Sequence, residues 1–299
     1  MCSPEVLRQV RQQIASSRRL DRRQFVASAG VAGAASFGVL ALHSATRAQQ
    51  ATPGATPVPG ATPVPEAICL NFSNIVDLSH VHGPDFPMYP GSEQMQLEVI
   101  VTIEDDGFFK HRLTMDEHTG THLDAPAHFD TDGDTADLLP VENFIAPLAV
   151  VDITGRAAQD PDAAVTRDDV LAWEAVNGPL PSGAFVAMNS GWGARVTNPA
   201  GFINIDADGV QHYPGFDVEA ATFLIKEREI VGIGVDTLSQ DPGDSTDFAT
   251  HVAILGAAKY GVEALANLDN VPPVGATVIV GGPKHLGASG GPCRVIAVY

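Results

Sequence analysis

From Ile68 onward the chain alternates short apolar runs, rich in β-branched residues, with polar or glycine-rich breaks. Ile75–Leu78, Met95–Ile103, Leu148–Ile153, Ala184–Asn189, Ile230–Val235 and Thr277–Gly281 have the length and composition of strands, and the run from Cys293 to Tyr299 adds a β-like end. "HRLTM" from His111 extends the sheet in this reading. Three segments show helical spacing instead. Thr166–Val176 opens on a threonine cap with early acids, Asp217–Arg228 opens on an aspartate cap, and Thr250–Leu265 is the third. Strands and helices interleave, and no internal linker or repeat interrupts them, so residues 68–299 read as one α/β domain.

The first 67 residues follow a different pattern. A basic segment is followed by a weakly apolar Ala/Gly-rich run, Val26 to Leu42, and then by small residues near Ala48. That is the layout of a secretory signal peptide over residues 1–48, too short and glycine-rich to favour a membrane span. Arg22 and Arg23, ahead of Gln24, Phe25 and Val26, resemble the twin-arginine export signal. Residues 49–67 carry three Ala-Thr-Pro units, and proline at that density makes an extended tether without a core. The expected location is therefore outside the cytoplasm, in the periplasm, the medium or tethered to the outer membrane face. In such a compartment Cys69 and Cys293 either form a bridge from the first strand to the last or stay as two buried thiols.

The 299 residues carry a formal charge of −19, which argues against nucleic acid or an anionic membrane as partner, because phosphates call for Lys and Arg. With 44% hydrophobic and 18% charged residues the chain has the material for a proper core.

Chemistry concentrates in His118–His128, HTGTHLDAPAH. His118, His122 and Asp124 are two imidazoles and a carboxylate, the donor set that suits Zn²⁺, Mn²⁺ or Fe²⁺. A helix would swing Asp124 off the histidine face. A straight strand would hold the two histidines roughly 13 Å apart, too far to share one ion. A loop bent at Gly120 and tied by Thr119 and Thr121 brings them together. His128, beyond Pro126, faces the same place, either as a proton carrier or as a further ligand.

The stretch matches His-x-Gly-Thr-His-x-Asp-x-Pro-x-His, and with it the chain resembles the cyclase family, which includes bacterial kynurenine formamidases and isatin hydrolases. The similarity runs from about Asp77 to Val298, through "DLSH", "MYPG", "MNSGWGARV", "HYPGFDVEAATFL", "VGIGVDTLSQD", "HVAILGAAKYGVEALANLDNVPP" and "SGGPCRVIAV". The resemblance implies an α/β fold of the swivelling β/β/α kind and a homo-oligomer, a dimer or tetramer. It implies that His118, His122 and Asp124 hold a first metal, that Asp124 bridges to a second held by His251, and that Glu263 touches both. His128 would be the acid/base. One or two divalent ions are implied, Zn²⁺ ahead of Mn²⁺. The expected activity is hydrolysis of amides, arylformamidase-like, with an isatin-like lactam or a non-catalytic binding role as alternatives. If 250–265 is helical, His251 and Glu263 lie about three turns apart, so His251 belongs before the helix or in its first turn, or a bend separates them.

Tyr89 in "MYPG" stands where formamidases commonly carry a tryptophan that stacks on the substrate, so the aromatic face is kept and the substrate is left open. Phe86, Met88, Phe129 and Trp192 are candidate pocket walls. Asp236 and Asp241 either support the ligands or cap loops. His80, His82, His111, His212 and His285 lack ligand spacing and read as structural. For export, replacing Arg22 and Arg23 by Lys is expected to retain the protein in the cytoplasm, as followed by cell fractionation; unchanged export counts against the twin-arginine reading.

Overall fold

The computed structural model describes residues 72–299. The signal segment, the tether and Cys69, with its possible bridge to Cys293, lie outside the described residues. Thirteen strands are present among them: β1 (Ile75–Asp77), β2 (Gln96–Val101), β3 (Lys110–Thr114), β4 (His122–Asp124), β5 (Ile145–Asp152), β6 (Ala164–Val165), β7 (Phe185–Asn189), β8 (Gly215–Phe216), β9 (Gly232–Val235), β10 (Tyr260–Glu263), β11 (Ala276–Gly281), β12 (Gly290–Pro292) and β13 (Arg294–Val298). Nine of them form one mixed sheet in the order β1-β13-β11-β5-β7-β9-β10-β4-β12. The centre, β5-β7-β9-β10, is parallel, and both flanks are antiparallel.

The parallel centre reads as nearly continuous apolar sequence because it is covered on both faces. On one face, helices Arg167–Asn177, Val218–Arg228 and Ala249–Gly256 bury Val170, Trp173, Leu224 and Ile254 against Val151, Val186 and Ile233. On the other, Leu123, Phe185, Tyr260, Val262 and Val278 form a second core. The first two helices begin as the sequence predicts. Thr166 and Asp169 form a reciprocal capping box, and the Asp217 side chain accepts from the Glu219 amide.

Several expectations are corrected. The helix expected over Thr250–Leu265 stops at Gly256, and the chain returns as strand β10, which carries Glu263 at its end. Alanine-rich sequence around Val262 fits a helix as well as a strand, and here pairing with β9 and β4 decides the outcome. The strand expected over Met95–Ile103 is shorter, since Thr102 caps a single helical turn, Ile103–Asp106. The "HRLTM" run does not extend the main sheet, because β3 pairs with β2 alone. Residues 72–98 with Arg112–Tyr299 form the compact α/β unit. None of the described helices is long and apolar enough to cross a membrane.

Candidate metal centre

The bend expected in the histidine-rich stretch is at Gly120, whose φ is +66°, a left-handed conformation that glycine adopts without cost. A Cβ there would also lie 2.7 Å from Cγ of His82. After the bend the chain is not a loop, as expected, but strand β4, antiparallel to β10 on one side and to β12 on the other. His122 and Asp124, two residues apart, therefore point to the same face. The register sets His122 directly across from Glu263 and Asp124 across from Gly261. Residues far apart in sequence thus become cross-strand neighbours, which is how Glu263 reaches the centre. Thr121 fastens the bend by donating to the Ala264 carbonyl at 2.6 Å, and Thr119 donates to the Asp116 carbonyl at 3.2 Å.

The donor atoms of His118, His122, Asp124, His251 and Glu263 converge. His122 Nε2 lies 3.2 Å from Asp124 Oδ1 and 3.4 Å from Glu263 Oε2. His251, in the first turn of its helix, places Nε2 3.0 Å from Glu263 Oε1 and 3.6 Å from Asp124 Oδ2. His118 Nδ1 meets Asp124 Oδ1 at 2.6 Å. The His128 ring stacks on His118 with centroids 3.7 Å apart, and its donor lies within 4.8 Å of those of His118 and Asp124. His122, Asp124 and Glu263 form a second such group.

Each imidazole is held from behind. His122 Nδ1 donates to the Gly120 carbonyl at 3.0 Å, leaving Nε2 as the free donor atom. His251 Nδ1 pairs with Asp241 Oδ2 at 2.6 Å, and Asp241 also accepts the backbone N–H groups of Thr250 and His251. Asp241 thus has the supporting role weighed for it. Asp236 instead accepts from the amides of Ser190, Trp192 and Gly193 and fixes that turn. Ser289 Oγ meets His118 Nε2 at 2.9 Å and donates to Glu117 at 2.6 Å, a pairing that sequence spacing does not disclose.

Electrostatics shows what the cluster lacks. Asp124 is fully buried and Glu263 is 5% exposed, yet every ion pair they make among the described residues is with histidine. Burial opposes charge on His122, but Asp124 and Glu263 outweigh it and raise the imidazole to about 9. Burial likewise disfavours charge on His251, and the hydrogen bonds to Asp124, Asp241 and Glu263 carry it well above its ordinary value. Burial and the Asp124 charge together push Glu263 up. At His128, desolvation outweighs the pull of Asp124, and with the neighbouring imidazoles it lowers the ring to about 4. Two buried carboxylates without ammonium or guanidinium call for cationic charge among them, and imidazole nitrogens with carboxylate oxygens are the donors a divalent ion takes. The residues fit such an ion.

Above the cluster lies a cavity of about 450 Å³. Met88, Tyr89, Phe129, Leu238 and Phe248 supply its apolar and aromatic walls, and His118, His122, His128, His251 and Glu263 its polar floor. Phe86 and Trp192, candidate walls from sequence, are instead buried in a core with Phe202 and Tyr213. His80 and His82, read as structural, lie beside the Gly120–Thr121 bend, each with a buried Nε2 without a hydrogen bond.

The model of the family described as "Putative cyclase" matches residues 76–242. An isatin hydrolase of Roseibium aggregatum is 32% identical over 241 residues, 75% of this chain and 91% of that protein. The chain belongs to this family of metal-dependent hydrolases. A kynurenine formamidase of Salinibacter ruber is a more distant member, 27% identical over 74% of this chain and 96% of its own. Among solved structures, an isatin hydrolase bound to the product analogue thioisatinate has a TM-score of 0.72 at 31% identity, covering 75% of this chain and 92% of that one. The mixed α/β architecture is thus similar to that of cyclase-family structures.

Gly120 is the hinge of this geometry. Gly120→Ala is expected to lower stability by about 1–3 kcal/mol through its left-handed φ, and to reduce metal uptake by displacing His122. Thermal unfolding and metal analysis of the purified variant check this; wild-type metal content would remove Gly120 from the account.

Proposed function

We propose that the protein hydrolyses the carbon–nitrogen bond of a small, neutral aryl lactam of the isatin kind. In this reading His118, His122 and Asp124 hold one divalent ion, Zn²⁺ ahead of Mn²⁺, and His251 and Glu263 complete a second position across Asp124. The observation that carries the substrate class is the cavity lining. Its walls are aromatic and apolar, no Lys or Arg among the described residues lines it, and Asp116 is its one charged residue outside the cluster. A carboxylate-bearing substrate such as N-formyl-kynurenine finds no lysine or arginine there to pair with its carboxylate, whereas a flat neutral ring buries its faces against Phe129, Phe248 and Tyr89. The isatin hydrolase relatives support the same order of preference. Arylformamidase activity on a neutral formyl-anilide is the second reading, supported by the kynurenine formamidase relatives.

A divalent ion at this floor supplies Lewis-acid polarisation of a carbonyl and an activated water at neutral pH. The chain's residues do the rest. Phe129 and Phe248 hold the ring and keep bulk water off its faces. His128, at the rim of the cluster, takes a proton from water at its imidazole and returns it to the departing nitrogen. Retention of His128 beside the donor set favours turnover over a purely binding role. The Arg22–Arg23 segment favours an activity outside the cytoplasm, and the family resemblance favours a homo-oligomer; fractionation and light scattering test these two parts.

Metal-replete protein is expected to open isatin and related lactams, to cleave formyl-anilide more slowly, and to act poorly on N-formyl-kynurenine. Asp124→Ala and His122→Ala should lose metal and activity together, and His128→Ala should keep the metal and lose rate by about 10²–10⁴-fold. If His128→Ala loses as much metal as Asp124→Ala, His128 is a ligand. No turnover of any amide, lactam or ester by metal-replete protein leaves the binding role.

Tyr89→Ala is expected to raise KM more than it lowers kcat, because a stacking contact of about 0.5–1.5 kcal/mol acts on ground state and transition state alike. Steady-state kinetics on isatin decide the point; a fall confined to kcat counts against Tyr89 as a ring platform.

A further inference from the structure

Gln240 stands outside the cavity lining, yet it holds both buried carboxylates. Its side-chain Nε2 donates to Asp124 Oδ2 at 2.7 Å, and its backbone N–H donates to Glu263 Oε1 at 3.1 Å. It is fully buried. An amide facing a carboxylate presents its NH₂ group, so its own oxygen must point elsewhere, and Gln240 Oε1 is buried without a hydrogen-bond partner. An unsatisfied buried acceptor is unfavourable, and its presence asks for a reason beyond packing.

The room for this amide comes from the strand register. Asp124 faces Gly261 across the β4–β10 pair, and a Cβ at Gly261 would lie 2.0 Å from Gln240 Nε2 and 2.3 Å from its Cδ. The amide therefore occupies the side-chain space that Gly261 leaves empty, next to the carboxylate it holds. Asp124 Oδ2 accepts from Gln240 and lies 3.6 Å from His251 Nε2, while Oδ1 faces His118 and His122.

We infer that Gln240 is the positioning residue of the metal centre: one side chain and its own amide set the orientation of Asp124 and its spacing from Glu263, and Gly261 is glycine to admit it. This rests on the metal-binding reading above and names the regulation of donor geometry within it. Partners of this kind, behind the donor atoms, typically contribute about 10–100-fold in metal affinity.

The test is calorimetric titration of metal-free protein with Zn²⁺ and, separately, Mn²⁺, alongside thermal unfolding of the metal-free forms. Gln240→Ala and Gly261→Ala are each expected to weaken binding by about 10–100-fold. Because the three atoms nearest to a Cβ at Gly261 all belong to the Gln240 amide, Gly261→Ala should add little in the Gln240→Ala background, a non-additivity that independent packing defects do not show. Gln240→Met keeps the volume and replaces Gln240→Ala if the smaller side chain unfolds the chain; it should stay folded without metal while its affinity falls by a comparable factor. Wild-type affinity in the Gln240 variants, or losses that multiply in the double variant, overturns the inference. Absence of binding by the wild type instead overturns the metal-centre reading on which it rests.

Discussion

Two carboxylates, Asp124 and Glu263, are buried beside one another without a guanidinium or ammonium among the described residues to pair with them. That is the condition the surrounding structure has to meet. Isolated buried carboxylates are strongly unfavourable, and they persist where hydrogen bonds and cationic charge compensate them. Imidazoles from three elements converge on them, and each imidazole's far nitrogen meets an oxygen: the Gly120 carbonyl, Asp241 or Ser289. The positions of the β4 bend, the first turn of the Ala249–Gly256 helix and the end of β10 all follow from that convergence.

The sheet makes the convergence repeatable. Antiparallel pairing of β4 with β10 fixes His122 opposite Glu263, and slipping by one residue would turn every donor to the opposite face. The rigid part of the centre is thus built on strands, while the cavity walls come from connecting segments around Tyr89, Phe129 and Phe248. Chemistry and selectivity are carried by different parts of the backbone, as in many enzymes whose loops diversify on a fixed scaffold.

What the sequence discloses follows from distance along the chain. His118, His122, Asp124 and His128 lie within one short stretch around Gly120, so their spacing alone suggests metal-ligand chemistry and a bend, and the left-handed φ of Gly120 bears out the bend. His251 and Glu263 are legible through family resemblance and not through periodicity, since the interval between them hides a helix end, a turn and a strand. Ser289 and Gln240 carry no local signal at all, because their roles exist only once β12 and the 239–241 turn are brought beside β4. The helical reading of Thr250–Leu265 failed where tertiary pairing outweighed propensity, and the separate pairing of β2 with β3 failed to show because alternating apolar residues look alike in any sheet.

Asp124 has glycine as cross-strand neighbour on both sides, Gly261 in β10 and Gly290 in β12, and a Cβ at Gly290 would lie 2.3 Å from the Leu123 carbonyl. On the β12 side, then, the Leu123 carbonyl and the His118 ring occupy the space a side chain at 290 would need, so no larger residue fits there. On the β10 side a replaceable side chain fills the gap. The centre is consequently closed to variation along one flank and open along the other, so relatives of this fold can retune the same donors from the Ser239–Asp241 turn while leaving all of them in place.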